Sequence, residues 1–204
     1  MAAPSFISVF LTFLVLSGCV ELSKSYPEKH YYALEAVHTG EMRASILGTV
    51  LKVRKFRVSP AFEGKELVYR RSDARYEGDF YNEWFVPPNA MFTQQIVNWL
   101  TRADLFQYVM DSSGPLPATH MLEGTLTALY GDYRATPAKA VLAVQFFFLH
   151  EASAQGEVLW HREYRKEVEV MEQQPEALVS GWNEALRLIL SEVEEDLTRT
   201  LQRR

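Results

Sequence analysis

Apolar residues recur along this chain with two different periods, and the change from one to the other marks the elements. The run Tyr31-Tyr32-Ala33-Leu34-Glu35-Ala36-Val37 is short, aromatic and stops before Thr39-Gly40, which predicts a first strand. A second is predicted over 50–58, where Val53, Phe56 and Val58 mix with Lys52, Arg54, Lys55 and Arg57, so that one face is wet. Segments 66–71 and 75–86 are rich in Tyr, Phe and Trp around the Ser72-Asp73-Ala74 turn, and predict a pair of strands ending at Pro87-Pro88. Beyond those prolines Phe92, Ile96, Trp99, Leu100 and Ala103 follow helical spacing. Proline suits a first turn whose N–H groups have no partner, so a helix is predicted over 88–102.

A short strand over 106–110 precedes the Ser112-Ser113-Gly114-Pro115 loop, and longer strands over 119–134, 138–152 and 157–170 then read as a meander. The middle one, with Val141-Leu142-Ala143-Val144-Gln145-Phe146-Phe147-Phe148-Leu149, is apolar on nearly both faces and is expected at the centre of the sheet. In the next, Val158, Trp160, Tyr164, Val168 and Val170 alternate with His161, Glu163, Arg165, Glu167 and Glu169, so one face is buried. From Pro175 a long helix carries Leu178, Trp182, Ala185, Ile189, Val193 and Leu197 on one stripe, with Glu192, Glu194, Glu195 and Asp196 mostly off it and Arg199, Arg203 and Arg204 at its negative end. The sum is an α+β domain: a mixed, largely antiparallel sheet with two amphipathic helices packed on one face.

The apolar stretch Phe6 to Leu16 has a different character, because it leads directly into Ser17, Gly18 and Cys19 and the chain then turns polar. It has the length of the core of an export signal, whereas a spanning helix needs about 20 apolar residues to cross about 30 Å of hydrocarbon. The Leu16-Ser17-Gly18-Cys19 run resembles the bacterial lipobox. That resemblance implies a diacylglycerol on the Cys19 thiol, cleavage just before it, and an acyl chain (palmitate) on the new N-terminus, with no other cofactor. Small Ser17 and Gly18 leave the backbone accessible, and the thiol supplies the nucleophile. No Lys or Arg precedes the apolar stretch, a departure from the usual basic start of such signals. Val20 in place of Asp favours, by the same resemblance, the outer membrane over the inner one. The expected division is a leader over 1–18, a lipidated cysteine and tether over 19–29, and a single domain over 30–204.

Composition removes several function classes. With 204 residues the chain holds one domain of usual size, and its formal charge of −5 argues against non-specific nucleic-acid binding. A single cysteine excludes an internal disulfide and a cysteine-based zinc site. No phosphate loop, Gly-x-Ser-x-Gly elbow or His-Glu-x-x-His occurs, so the chain is not read as an enzyme. The histidines His30, His38, His120, His150 and His161 lack metal-ligand spacing and are expected at the surface or at strand ends. The densest mixture of aromatic and charged residues lies over 69–84, and Tyr69, Arg71, Tyr81 and Trp84 are its candidate partner surface, since Arg and aromatics concentrate at interfaces. The competing structural reading is that these aromatics favour strands and the arginines stack on them within one sheet.

Leu67-Val68-Tyr69-Arg70, Tyr81-Asn82-Glu83-Trp84, the proline-started segment to Leu100, the early Tyr31-Tyr32-Ala33-Leu34, the lipobox and the long terminal helix together resemble the ABC-type transport auxiliary lipoprotein family, which includes the Pqi-type lipoprotein. The resemblance covers nearly the whole mature chain. It implies a fold like the N-terminal domain of TolB and a periplasm-facing, outer-membrane-anchored lipoprotein. It also implies an Mce-type protein of an ABC transport system as partner, with phospholipid or other hydrophobic cargo. Exposed strand edges would suit self-association into a ring. The alternative is an envelope-assembly lipoprotein that binds peptidoglycan or a protein without a transport role.

Overall fold

Two-residue alternation places one face of each strand against the helices, and long-range pairing then decides which strand sits where. The structure is a computed structural model that describes residues 28–40, 43–151 and 156–203. The expected leader, Cys19 and the expected tether up to residue 27 lie outside them. Among the described residues nine strands form one sheet: β1 (His30–Tyr32), β2 (Ile46–Val53), β3 (Arg57–Val58), β4 (Glu66–Arg70), β5 (Tyr76–Trp84), β6 (Phe106–Asp111), β7 (His120–Asp132), β8 (Ala138–His150) and β9 (Glu157–Val170). Two α-helices, α1 (Pro88–Ala103) and α2 (Pro175–Gln202), and a single 3-10 turn at Pro60–Phe62 complete the described fold. Neither α-helix is long and apolar enough to cross a membrane.

The hub is β7. Along one edge it takes β2, β3 and β4 end to end, all parallel, with Leu51 beside His120, Arg57 beside Thr125 and Tyr69 beside Gly131. Along the other it pairs antiparallel with β8, and β8 with β9. The sheet then forks: β2 carries β6 in parallel, whereas β4 carries β5 antiparallel and β5 carries β1 in parallel. Five of the eight pairings between described strands are therefore parallel, and the expected mixed, largely antiparallel sheet is corrected to a mixed sheet whose pairings are mostly parallel. Alternation fixes which face a side chain takes but carries no information about the direction of a distant partner. The expected centre also moves from β8 to β7. The outer side of β8 is nonetheless covered: Val141 and Ala143 are buried beside Tyr130, on which Phe62 stacks at 5.7 Å and to whose hydroxyl Arg165 donates at 3.1 Å.

Both helices pack on the other face. Met91, Phe92, Ile96, Trp99 and Leu100 form the buried stripe of α1, and the Phe92 and Phe146 rings both pack edge-on against Phe56 at 5.4 and 5.2 Å. On α2 the stripe is Leu178, Trp182, Ala185, Leu186, Ile189, Leu190, Val193 and Leu197, all fully buried, and each of its leucines, Ile189 and Val193 stabilises the fold by about 1.5–3 kcal/mol. Gly181 lets α2 approach β8 closely, because a Cβ there would lie 2.7 Å from that of Ala140. At the end of α1, Asp104 turns left-handed with φ 53°, a conformation that Asp tolerates better than most residues.

The expected first strand shortens to three residues. Beyond Tyr32 the alternation persists, with Leu34 and Ala36 buried, but the backbone bonds to helices instead of to a strand. Leu34 N–H donates to Met91 Sδ, Glu35 N–H to Asn183 Oδ1 at 2.9 Å and Ala36 N–H to Gln95 Oε1 at 3.2 Å. Side chains of α1 and α2 thus satisfy the amides that a neighbouring strand would have taken.

Candidate interaction surface

The segment 69–84 folds as the β4–β5 hairpin, and its geometry separates the residues that build the sheet from those that face solvent. Trp84 is buried against Trp182, ring centroids 5.3 Å apart, and is removed from the partner surface. Tyr69 is also buried; it packs edge-on to Tyr133 at 5.3 Å and donates its hydroxyl to Asp79 Oδ2 at 2.7 Å. Burial first, and then that bond and the carboxylate charge, push the Tyr69 phenol well above its ordinary range. Arg71 lies 4.7 Å over Tyr133 and 5.3 Å over Tyr69 and donates to Glu77 Oε2 at 2.6 Å. It is committed to the sheet, as the stacking alternative describes. Of the four candidates Tyr81 alone projects freely, and Phe80 beside it is more exposed still, at 68%.

Phe80 and Tyr81 project because Asp79 bends β5. The register slips between Glu66 and Leu67, opposite Glu83 and Asp79, so extra residues of β5 bulge outward. Asp79 Oδ1 accepts the backbone N–H groups of Tyr81 and Asn82 at 2.9 and 3.1 Å, and Oδ2 accepts Tyr69 and the Asn82 amide. Burial, the largest single influence, pushes the Asp79 carboxyl up, but the bonds from Tyr69, Asn82 and the two backbone amides outweigh it and hold the group below its usual range. Asp79→Ala is expected to cost about 1.5–3 kcal/mol, as hydrogen bonds to a charged group do. In the wild type this contribution is complete above the unfolded carboxylate value of about 4 and is lost as pH falls through the lower folded value. Urea titrations of both proteins from neutral to acid pH should therefore converge at the acid end.

Around the bulge lies an aromatic patch. Tyr31 and Phe85 meet edge-on at 6.4 Å, Phe80 and Tyr81 at 5.2 Å, and Phe85 is 67% exposed. Lys29 Nζ sits 4.3 Å over Phe80 and pairs with Glu83, and Lys65 Nζ lies 5.8 Å over Tyr31. Phe80, Phe85, Tyr31 and both lysines were absent from the sequence-derived set. The adjacent pair Phe80-Tyr81 marks one outward ring, since consecutive residues of a strand point to opposite faces, but that both turn outward follows from the bulge.

Elsewhere the chemistry is structural. Glu194, expected on a solvated helix face, is buried, and it accepts Trp99 Nε1–H at 3.0 Å, His38 Nε2 at 2.9 Å and Arg43 Nε–H at 3.3 Å. His38 is accordingly interior, not at the surface. His120 and His150 come together across β7 and β8 with rings 5.0 Å apart. Among the described residues no group of three or more His, Cys, Asp and Glu is placed to hold a metal ion. Two surface grooves near 300 Å³ differ in lining: one mixes Lys55, Thr93, Gln94 and Asp111 with Ala90 and Val97, and the other is mostly apolar, with Ala44, Ile46, Leu105 and Leu201.

A family model described as the ABC-type transport auxiliary lipoprotein component matches residues 32–194. No curated protein matches the chain. Among solved structures, a family-DUF330 protein from Xanthomonas campestris superposes with a TM-score of 0.76 at 15% identity, over 85% of this chain and 97% of that one. A protein described as uncharacterized gives 0.66 at 19% identity, over 83% and 99% of the two chains. A hypothetical protein from Chlamydia trachomatis gives 0.51 at 9% identity, over 73% and 97%. These structures share the fold.

Proposed function

Because the chain belongs to the ABC-type transport auxiliary lipoprotein family, we propose that it is a lipid-anchored, non-enzymatic accessory of an ABC-type transporter. In this reading a leader over 1–18 is removed and Cys19 carries the lipid. Residues 19–29 form a tether, and the domain over 30–204 stands on the periplasmic face of the outer membrane, where it docks an Mce-type protein that conducts phospholipids or other hydrophobic molecules. The observation that carries the proposal is the extent of the family match, which runs from the last residue of β1 to within the last turns of α2. The lipobox residues Leu16, Ser17, Gly18 and Cys19 supply the anchor, and stable anchoring follows from several acyl chains on one cysteine.

Intact mass, membrane fractionation and co-isolation test this directly. The wild type is expected to lose the leader, gain acyl mass, fractionate with the outer membrane and bring an Mce-type protein with it. Cys19→Ala is expected to lose both the acyl mass and the membrane association. An unlipidated product recovered from the periplasm for both proteins would overturn the anchor and the docking role together.

A further inference from the structure

The aromatic patch at the β1–β5 edge lies where the chain enters the domain, and that position says what covers it. Phe80 and Phe85 are each about two-thirds exposed, with Tyr31, Tyr81 and Val86 beside them, an apolar surface that no part of the described chain covers. Lys29, the residue whose ammonium rests on Phe80, is ten residues from Cys19. Ten extended residues span at most about 33–36 Å, so a chain held in a bilayer through Cys19 keeps this edge within that distance of the lipid.

We propose that the Phe80–Tyr81 bulge, together with Tyr31 and Phe85, rests in the headgroup region of the bilayer that holds the lipid anchor. The proposal rests on the anchor at Cys19. Aromatic side chains with apolar bodies favour the membrane–water boundary, and cationic side chains frame such surfaces. Lys29 pairs with Glu83, and the Asp79 carboxylate is turned into its own bulge, so neither acid opposes the contact. Burial of the rings, more than attraction to anionic headgroups, then drives it. The domain has a fixed orientation as a result: β1 and β5 lie at the lipid, and the other branch of the sheet, ending in β6, faces away.

Cys19 is the chain's single cysteine and its thiol is consumed by the lipid, so a cysteine introduced elsewhere takes a fluorophore alone. The full-length lipidated protein carrying Phe80→Cys, and separately Tyr108→Cys on β6, is labelled with nitrobenzoxadiazole and placed in phosphatidylethanolamine–phosphatidylglycerol vesicles containing headgroup-region spin-labelled lipid. Both positions are exposed, so neither substitution disturbs the core. The label at 80 is expected to shift blue and to be quenched about threefold more than the label at 108, as for a group seated about 5–10 Å into the boundary. Equal, weak quenching at both positions in protein that floats with the vesicles would overturn the contact and leave the anchor intact. Protein without acyl mass that fails to float would overturn the anchor and the contact with it. Shielding at 80 that appears only when an Mce-type protein is added would reassign the patch to a protein partner, and so overturn the lipid contact.

Discussion

Trp182→Ala is expected to lower the stability of the domain by about 3–5 kcal/mol, the range for truncating a large buried aromatic. Trp182 is fully buried on α2, its ring lies 5.3 Å from Trp84 of β5, and its indole N–H is shared between the backbone carbonyls of Tyr130 and Val141 at 3.3 and 3.2 Å. It therefore joins the long helix to the β7–β8 ladder and to the hairpin that carries the aromatic patch. Trp182→Phe keeps most of the packing and loses the N–H, and should cost less, about 1 kcal/mol for the hydrogen bond plus the residual gap. Thermal unfolding reads the difference, since each kcal/mol shifts the midpoint by about 2–4 °C in a domain of this size. A loss under about 1 kcal/mol for the alanine variant would mean that the hairpin and α2 are held by other contacts.

Elements set by local chemistry were legible in the sequence, and those set by distant partners were not. The prolines at 88 and 175 start both helices where the apolar spacing changes, and β9 spans 157–170 as its alternation indicates. Directions and neighbours lay beyond reach. β2, β3 and β4 lie along one edge of β7 across some 60 residues of intervening chain, and nothing in their own sequence shows that they run parallel to it. The misreading of 33–37 has the same origin. Alternating burial of Leu34 and Ala36 is real, but the partners of the intervening amides are helix side chains. Composition marked 69–84, yet only the Asp79 bulge decides that Phe80 and Tyr81 turn outward while Tyr69 and Trp84 turn in.

Glu194→Ala should destabilise the domain by a different route, by about 1–3 kcal/mol, because it leaves the buried Trp99 indole N–H and the His38 ring without this carboxylate while the half-exposed Arg43 turns to water. Its side chain accepts from Trp99 of α1 and from His38 and Arg43, which lie on either side of residues 41–42 in the chain that leads from β1 into β2. That chain leads from the β1 edge to the rest of the sheet. Glu194→Gln retains one acceptor oxygen but also presents an amide N–H₂ to the same donors, so an intermediate loss is expected. The sharper readout is local. Hydrogen exchange at Glu35 and Ala36, whose amides bond to Asn183 and Gln95, should accelerate in Glu194→Ala well beyond what the global loss of stability explains. Should those amides stay protected and the variant lose less than about 1 kcal/mol, the segment would be held by the packing of Leu34 and Ala36 alone. If they exchange freely, the buried carboxylate is what fixes β1, and with it the aromatic edge, against the helices.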